Sequence, residues 1–207
     1  MRSVRKGALA IVAAILSSAV AASAADLGGK KATPRNFTAS FPALEKADAI
    51  VEGAKNPKRV FYVFFDANCF YCHLTWKALR PYERVGLQVR WVPVAYQKES
   101  SVGRAAAVMQ AYDRASALRE NEIHYRVETF EGGIAPATNP PAALVARLEA
   151  NTRLMERFGV PGTPGIVWKD RSGKVRLKVG MPRLSQLSAM TGLPMQKNDD
   201  PALADFR

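Results

Sequence analysis

The chain has 207 residues, 30 Lys and Arg against 18 Asp and Glu for a formal charge of +12, and only two cysteines. That length fits one domain, or one domain carrying an insertion, rather than several. The basic residues come in scattered pairs such as Lys30-Lys31 and Lys58-Arg59, without a run of five or six, so the charge describes a solvated basic surface and argues against a nucleic-acid partner.

At the start of the chain, Arg2, Arg5 and Lys6 precede an uncharged, Ala-rich stretch over residues 8–20 and the small-residue triplet Ala22-Ser23-Ala24. This order reads as a secretory signal peptide over residues 1–24. The apolar stretch is shorter than the roughly 20 residues a bilayer-spanning helix needs, and no comparable run follows, so stable membrane insertion is not expected. Residues 25–57 read as a lead-in and a linker helix. The first part is small and polar, and residues 42–55 place Leu44, Ala47, Ile50, Val51 and Ala54 at helical spacing behind Pro42.

A single α/β domain is expected over residues 58–195. Residues 59–65, Arg-Val-Phe-Tyr-Val-Phe-Phe, are β-branched and aromatic without alternation, as in a central strand covered on both faces. A helix should begin near Cys69 and Cys72 and be kinked or ended by Pro81. Residues 87–94 make a second strand. Helical patterns over about 100–158, interrupted by a loop over 131–141, form an insertion. Two short strands around Asp170-Arg171-Ser172-Gly173 make a hairpin, residues 184–190 a last helix, and residues 196–207 a flexible tail. The order β-α-β, helices, β-β-α describes a thioredoxin-like fold with an inserted helical segment.

Cys69 and Cys72 are two residues apart, and a disulfide closing so small a loop stabilises little. Chemistry explains the pair better. A first cysteine at a helix N-terminus gains stabilisation of its thiolate from unpaired backbone N–H groups, and the second lies within one turn. Cys69 is thus expected to be exposed and acidic, with Cys72 more buried behind it. Further on, Gly162-Thr163-Pro164-Gly165 precedes a strand. An X-Pro bond is the one peptide bond for which cis is cheap, and a cis Thr163-Pro164 bond would leave the Thr163 backbone free to pair with an extended substrate. Cys69-Phe70-Tyr71-Cys72-His73 also matches the covalent haem-attachment signature. That reading needs His73 as an iron ligand and a second ligand from Met109, Met155, Met181 or His124. A zinc site would lack ligands, as His124 is the only other histidine. His73 is otherwise expected to be a partly exposed helix residue that modulates the charge around the cysteines.

Phe64-Phe-Asp-Ala-Asn-Cys-Phe-Tyr-Cys-His73, the stretch from Val92 to Ala107, the stretch from Asn151 to Pro164 and Val179-Gly-Met-Pro182 together resemble the DsbC/DsbG class of bacterial periplasmic disulfide isomerases, the DsbG branch most closely. The resemblance covers about residues 42–194. It implies Cys69 as nucleophile, Cys72 as resolving thiol, Thr163 and Pro164 as the substrate-binding cis-proline site, and no cofactor. It implies a periplasmic location, substrates among exported proteins with cysteines or disulfides, and a DsbD-type membrane reductase or a DsbB-type oxidase as redox partner. Members of that class are dimers joined by a separate N-terminal domain, for which residues 25–57 are too short, so a monomer is expected. Phe70 and Tyr71 stand where the class has Gly-Tyr or Pro-Tyr, a dipeptide that helps set redox potential. A competing function is a chaperone-like module that holds unfolded exported chains through apolar surface.

Overall fold

The computed structural model describes residues 37–207, so the expected signal peptide and most of the polar lead-in lie outside the described residues. In chain order the elements are α1 (Phe41–Glu45), β1 (Ile50–Gly53), β2 (Arg59–Asp66), α2 (Phe70–Glu83), β3 (Leu87–Val94), α3 (Ser101–Gln110), α4 (Arg114–Ile123), α5 (Ala142–Arg157), β4 (Gly165–Lys169), β5 (Val175–Val179) and α6 (Leu184–Thr191), with 3₁₀ turns at Phe37–Ala39 and Pro201–Phe206.

The five strands form one sheet in the order β1-β3-β2-β4-β5. β2 and β3 run parallel and the other neighbours antiparallel. The unbroken apolar run of β2 follows from its central place. Phe61, Val63 and Phe65 pack with Leu74, Leu79, Tyr82, Leu118 and Leu187 on one face, and Tyr62 and Phe64 with Leu154, Met155 and Phe158 on the other. Both faces are covered, so neither parity of the strand can be polar. The thioredoxin-like architecture with helices inserted between β3 and β4 is therefore the one present. The break inside the insertion falls at Ala111–Asp113, where Asp113 caps α4 by accepting the Ser116 N–H at 2.9 Å.

Three expectations are corrected. The linker helix over residues 42–55 stops at Glu45, and Ile50–Gly53 is a strand antiparallel to β3, with Ile50 opposite Trp91. Apolar positions 44, 47, 50 and 51 suit a helix, but Ile50 and Glu52 also alternate with Val51 and Gly53, and the free edge of β3 selects the strand period. Gly53 adopts φ +90°, where a Cβ would lie 2.4 Å from the Leu87 carbonyl oxygen, so the chain cannot pass here as a right-handed helix. Second, of the two outcomes expected at Pro81, the ending does not occur, and α2 continues to Glu83. Pro81 leaves the Lys77 carbonyl without its helical donor, and the Asn198 side-chain amide donates to that oxygen at 3.0 Å instead.

The third correction concerns the tail, expected to be flexible. Lys77 pairs with Asp200 at 3.0 Å, the Gln196 N–H donates to the Tyr82 hydroxyl at 3.3 Å, and Leu203 is fully buried in the main core. A polar stretch with two apolar anchors reads as frayed because the groups it satisfies, a proline-orphaned carbonyl among them, lie more than a hundred residues upstream. Leu203→Ala should cost about 2–4 kcal/mol of unfolding free energy in urea titrations. A loss below about 0.5 kcal/mol, typical of surface changes, would mean that the tail does not dock.

Near the far end of α2, Glu52 and Glu83 are both buried beside Arg80, at 3.4 and 2.8 Å. Burial first, then the neighbouring Glu52 charge, raise the Glu83 carboxyl to about 7 against the opposing pull of Arg80. The folded state thus holds a proton that the unfolded chain releases near the ordinary glutamate range, and ionisation becomes a cost of folding as pH rises from about 4.5 through 7. Wild-type stability should fall by up to roughly 3 kcal/mol from this group between pH 5 and pH 8. In Glu83→Gln that part of the pH dependence should vanish; equal slopes for both proteins would refute the assignment.

Candidate active site

β2 delivers Asp66, Ala67 and Asn68 to the end of the sheet, and Cys69 follows as the N-cap of α2. The Cys69 sulfur accepts the Cys72 N–H at 3.1 Å, one of the donors that a helix start leaves unpaired. Across the sheet the chain before β4 passes the same point. The Thr163-Pro164 bond is cis, as the sequence suggests, and the Cys69 thiol donates to the Thr163 carbonyl at 3.5 Å. Thr163 and the cysteines are thus brought together over 94 residues of chain separation.

Both cysteines are free thiols. Their surroundings split their acidities. For Cys69, the hydrogen bond from the Cys72 side chain lowers the pKa most, helped by Thr163, the Cys72 N–H and Gln97, and these outweigh burial. Burial pushes the Cys72 thiol well up, and its position beside the Cys69 sulfur adds to that. The acidic first thiol and reluctant second thiol match the expectation, but the exposure of Cys69 does not. Only 2% of its surface is open, and it is reached through a cavity of about 540 Å³ lined by Phe70, Tyr71, Gln97, Lys98, Phe130 and Thr163.

His73 is likewise corrected, being buried rather than partly exposed. Its Nδ1 lies 3.1 Å from Glu122 Oε2, and its ring stacks on Tyr125 with centroids 4.5 Å apart. That environment commits the imidazole to α4 and the segment after it. Of the four candidates for a second haem ligand, Met155 lies in the core across the sheet from the cysteines, while Met109 shares their core cluster. Phe70 also approaches the Tyr125 ring, with centroids 6.4 Å apart. Phe70 packs edge-on to Tyr71 and Phe130, while Tyr71 and Phe130, each about half exposed, make an aromatic rim.

Several site residues escaped the sequence reading. Asp66 accepts hydrogen bonds from the Asn68 N–H, the Ser101 hydroxyl and the backbone N–H groups of Tyr96 and Gln97. The Tyr96 hydroxyl accepts the Thr163 N–H at 2.9 Å, and the Gln97 side chain donates to the Thr163 hydroxyl at 2.9 Å. The Thr163 backbone is therefore occupied on both sides, not free. A signal for Tyr96 and Gln97 was available: they follow β3, parallel to β2, and the carboxyl ends of adjacent parallel strands are where sites assemble. For Glu122 and Tyr125 no sequence signal exists.

Residues 46–192 match the model of the thioredoxin-like domain. The chain belongs to the thioredoxin-like family. It is 31% identical over 150 residues to the thiol:disulfide interchange protein DsbG of Pseudomonas aeruginosa, covering 72% of this chain and 57% of that protein. To the thiol:disulfide interchange protein DsbC of Haemophilus influenzae it is 33% identical over 124 residues, 59% of this chain and 49% of that one. The chain thus spans about half the length of these relatives. Among solved structures, a periplasmic thioredoxin-like protein from Salmonella enterica serovar Typhimurium superposes with a TM-score of 0.59 at 24% identity, covering 73% of this chain and 92% of that one, which supports the fold.

The geometry sets the alkylation behaviour. In Cys72→Ser, which keeps a side-chain donor beside Cys69, the midpoint of Cys69 alkylation against pH should lie below the ordinary thiol value of about 8.5. In Cys72→Ala the midpoint should be higher, because the strongest single stabiliser of the thiolate is gone. Coincident profiles at or above that value would show that Cys69 is not activated.

Proposed function

We propose that the chain is an exported, periplasmic enzyme that exchanges disulfides in other polypeptides, as an isomerase or reductase of the DsbG kind. The observation carrying this reading is the Cys69 sulfur at the start of α2, 3.1 Å from the Cys72 N–H and 3.5 Å from the Thr163 carbonyl, with opposite acidity shifts on the two thiols. The names of the relatives point the same way.

The Cys69 thiolate attacks one sulfur of a substrate disulfide. A bond forms between Cys69 and that sulfur as the substrate S–S bond breaks, and the departing sulfur leaves with the electron pair and takes up a proton. The Cys72 thiol then loses its proton and attacks the Cys69 sulfur. The substrate leaves as a second thiol, and a Cys69–Cys72 disulfide remains: the substrate is reduced by two electrons and the enzyme oxidised by two. If a substrate thiol attacks the mixed disulfide first, Cys69 is released and the result is isomerisation. Net reduction requires a dithiol donor, and a membrane reductase of the DsbD type fits that role.

A second reading, cysteine-independent holding of unfolded chains, draws on the exposed Tyr71 and Phe130 beside the cavity. Retention of all activity in a Cys69→Ser, Cys72→Ser double variant would favour it. On the exchange reading, Cys72→Ala should accumulate mixed disulfides with periplasmic proteins, visible as bands that collapse on reduction, whereas Cys69→Ala should trap almost nothing. Equal trapping by the two variants would reverse or abolish the assigned roles.

A further inference from the structure

The backbone strip Gly162-Thr163 is the part of the site best suited to hold a peptide. A Cβ built on Gly162 meets a single heavy atom within 4 Å, the Tyr96 hydroxyl oxygen at 3.7 Å. Next to it, Thr163 turns its N–H to that same hydroxyl at 2.9 Å and its carbonyl to the Cys69 sulfur at 3.5 Å. Beside Gly162, then, one phenol is all that stands in the way. An extended chain laid along it would take the Thr163 N–H through its own carbonyl oxygen, in the manner of strand addition to a sheet edge.

The phenol and its mount differ in how firmly they are held. The Tyr96 and Gln97 N–H groups donate to Asp66 at 2.8 and 3.1 Å, and Asp66 is buried. Tyr96, by contrast, is 46% exposed, and among the described residues its hydroxyl hydrogen-bonds only to Thr163, at the N–H and, at 3.4 Å, the side-chain oxygen. A rigid backbone thus carries a side chain that can swing into solvent without disturbing the loop. Rotamer changes of that kind are fast for exposed side chains.

We propose that Tyr96 is a displaceable gate on this strip: its hydroxyl fills the Thr163 amide in the resting protein, and the substrates that displace it are extended polypeptide segments supplying a backbone carbonyl to the same N–H. The inference rests on the exchange reading of Cys69 and names its substrate class. Because only the open fraction of the protein accepts a peptide, the closed contact lowers the apparent affinity for peptide disulfides. A disulfide with no peptide backbone makes no use of the Thr163 N–H and gains nothing from gate opening.

The test is Tyr96→Phe, which keeps the ring and the two N–H contacts to Asp66 and deletes only the competing oxygen. Reduced wild type and variant are each mixed with a mixed disulfide of glutathione and an unstructured cysteine peptide, and with bis(2-hydroxyethyl) disulfide. The ratio of the peptide rate constant to the small-disulfide rate constant should rise roughly two- to tenfold in the variant, the factor that one neutral hydrogen bond commands. In the free protein, exchange of the Thr163 amide hydrogen should accelerate in the variant. An unchanged or lower ratio overturns the gate, and a lower one would make Tyr96 a substrate-binding group. An unchanged amide exchange rate overturns the contact on which the gate depends. A wild type inert toward both disulfides would instead refute the exchange reading, and the amide measurement would still decide the contact.

Discussion

A carboxyl group cut off from water must find its hydrogen-bond donors within the protein, and at the end of β2 Asp66 finds four. One is local, the Asn68 N–H, and three come from the segment after β3 and the start of α3: the N–H groups of Tyr96 and Gln97 and the Ser101 hydroxyl. The next residues are tied as tightly. Asn121 donates to the Ala67 carbonyl at 3.0 Å, the Tyr125 hydroxyl to the Asn68 carbonyl at 2.9 Å, and the Asn68 amide to Ser101 at 3.0 Å. Gly132 lies so close that a Cβ would sit 2.5 Å from the Ala67 carbonyl oxygen. The three residues leading into Cys69 thus have their polar groups held by α3, α4 and the loops around them. The inserted helices thus support the segment that leads into Cys69.

Sheet topology explains why three distant stretches converge there. β2 and β3 are parallel and in register up to Asp66 opposite Val94, so the segments that follow them leave from the same end. β4 runs antiparallel to β2 with Gly165 opposite Phe64, so the segment before β4 arrives at that end too. Cys69, Gln97 and Thr163 are therefore neighbours because of strand direction alone. Side-chain hydrogen bonds of Tyr96 and Gln97 with Thr163 then complete the placement.

How much of this was legible in the sequence depends on the distance over which each signal acts. The β2 run, the Cys-x-x-Cys helix start, the turn at Asp170 to Gly173 and the Thr-Pro site are local patterns, and each is present. Ile50 and Val51 fitted two periods at once, and only the open edge of β3 decided between helix and strand. Pro81 carried its usual warning, which a side chain from residue 198 answers. His73 looked like a helix-surface residue because nothing in its own sequence window announces Glu122 and Tyr125 as its neighbours. The errors share one cause: in each a polar group's fate was settled by a partner far along the chain.

The buried position of Cys72 looks at first like an obstacle to its proposed role, since a thiol that resists ionisation is a poor nucleophile. Its surroundings supply the answer. After burial, the influences that push its pKa up are the hydrogen bond to the Cys69 sulfur and the charge on that sulfur. Both belong to the free thiolate state of Cys69. Once Cys69 is joined to a substrate, its sulfur is neutral and no longer competes for the Cys72 proton. Burial still opposes ionisation, while the contacts to the Asp66 backbone and to Thr163, which favour it, remain. Loss of those two influences would make Cys72 more acidic once the first bond has formed. On the proposed exchange reading, the sulfur pair that favours the Cys69 thiolate would thus restrain Cys72 until a mixed disulfide has formed.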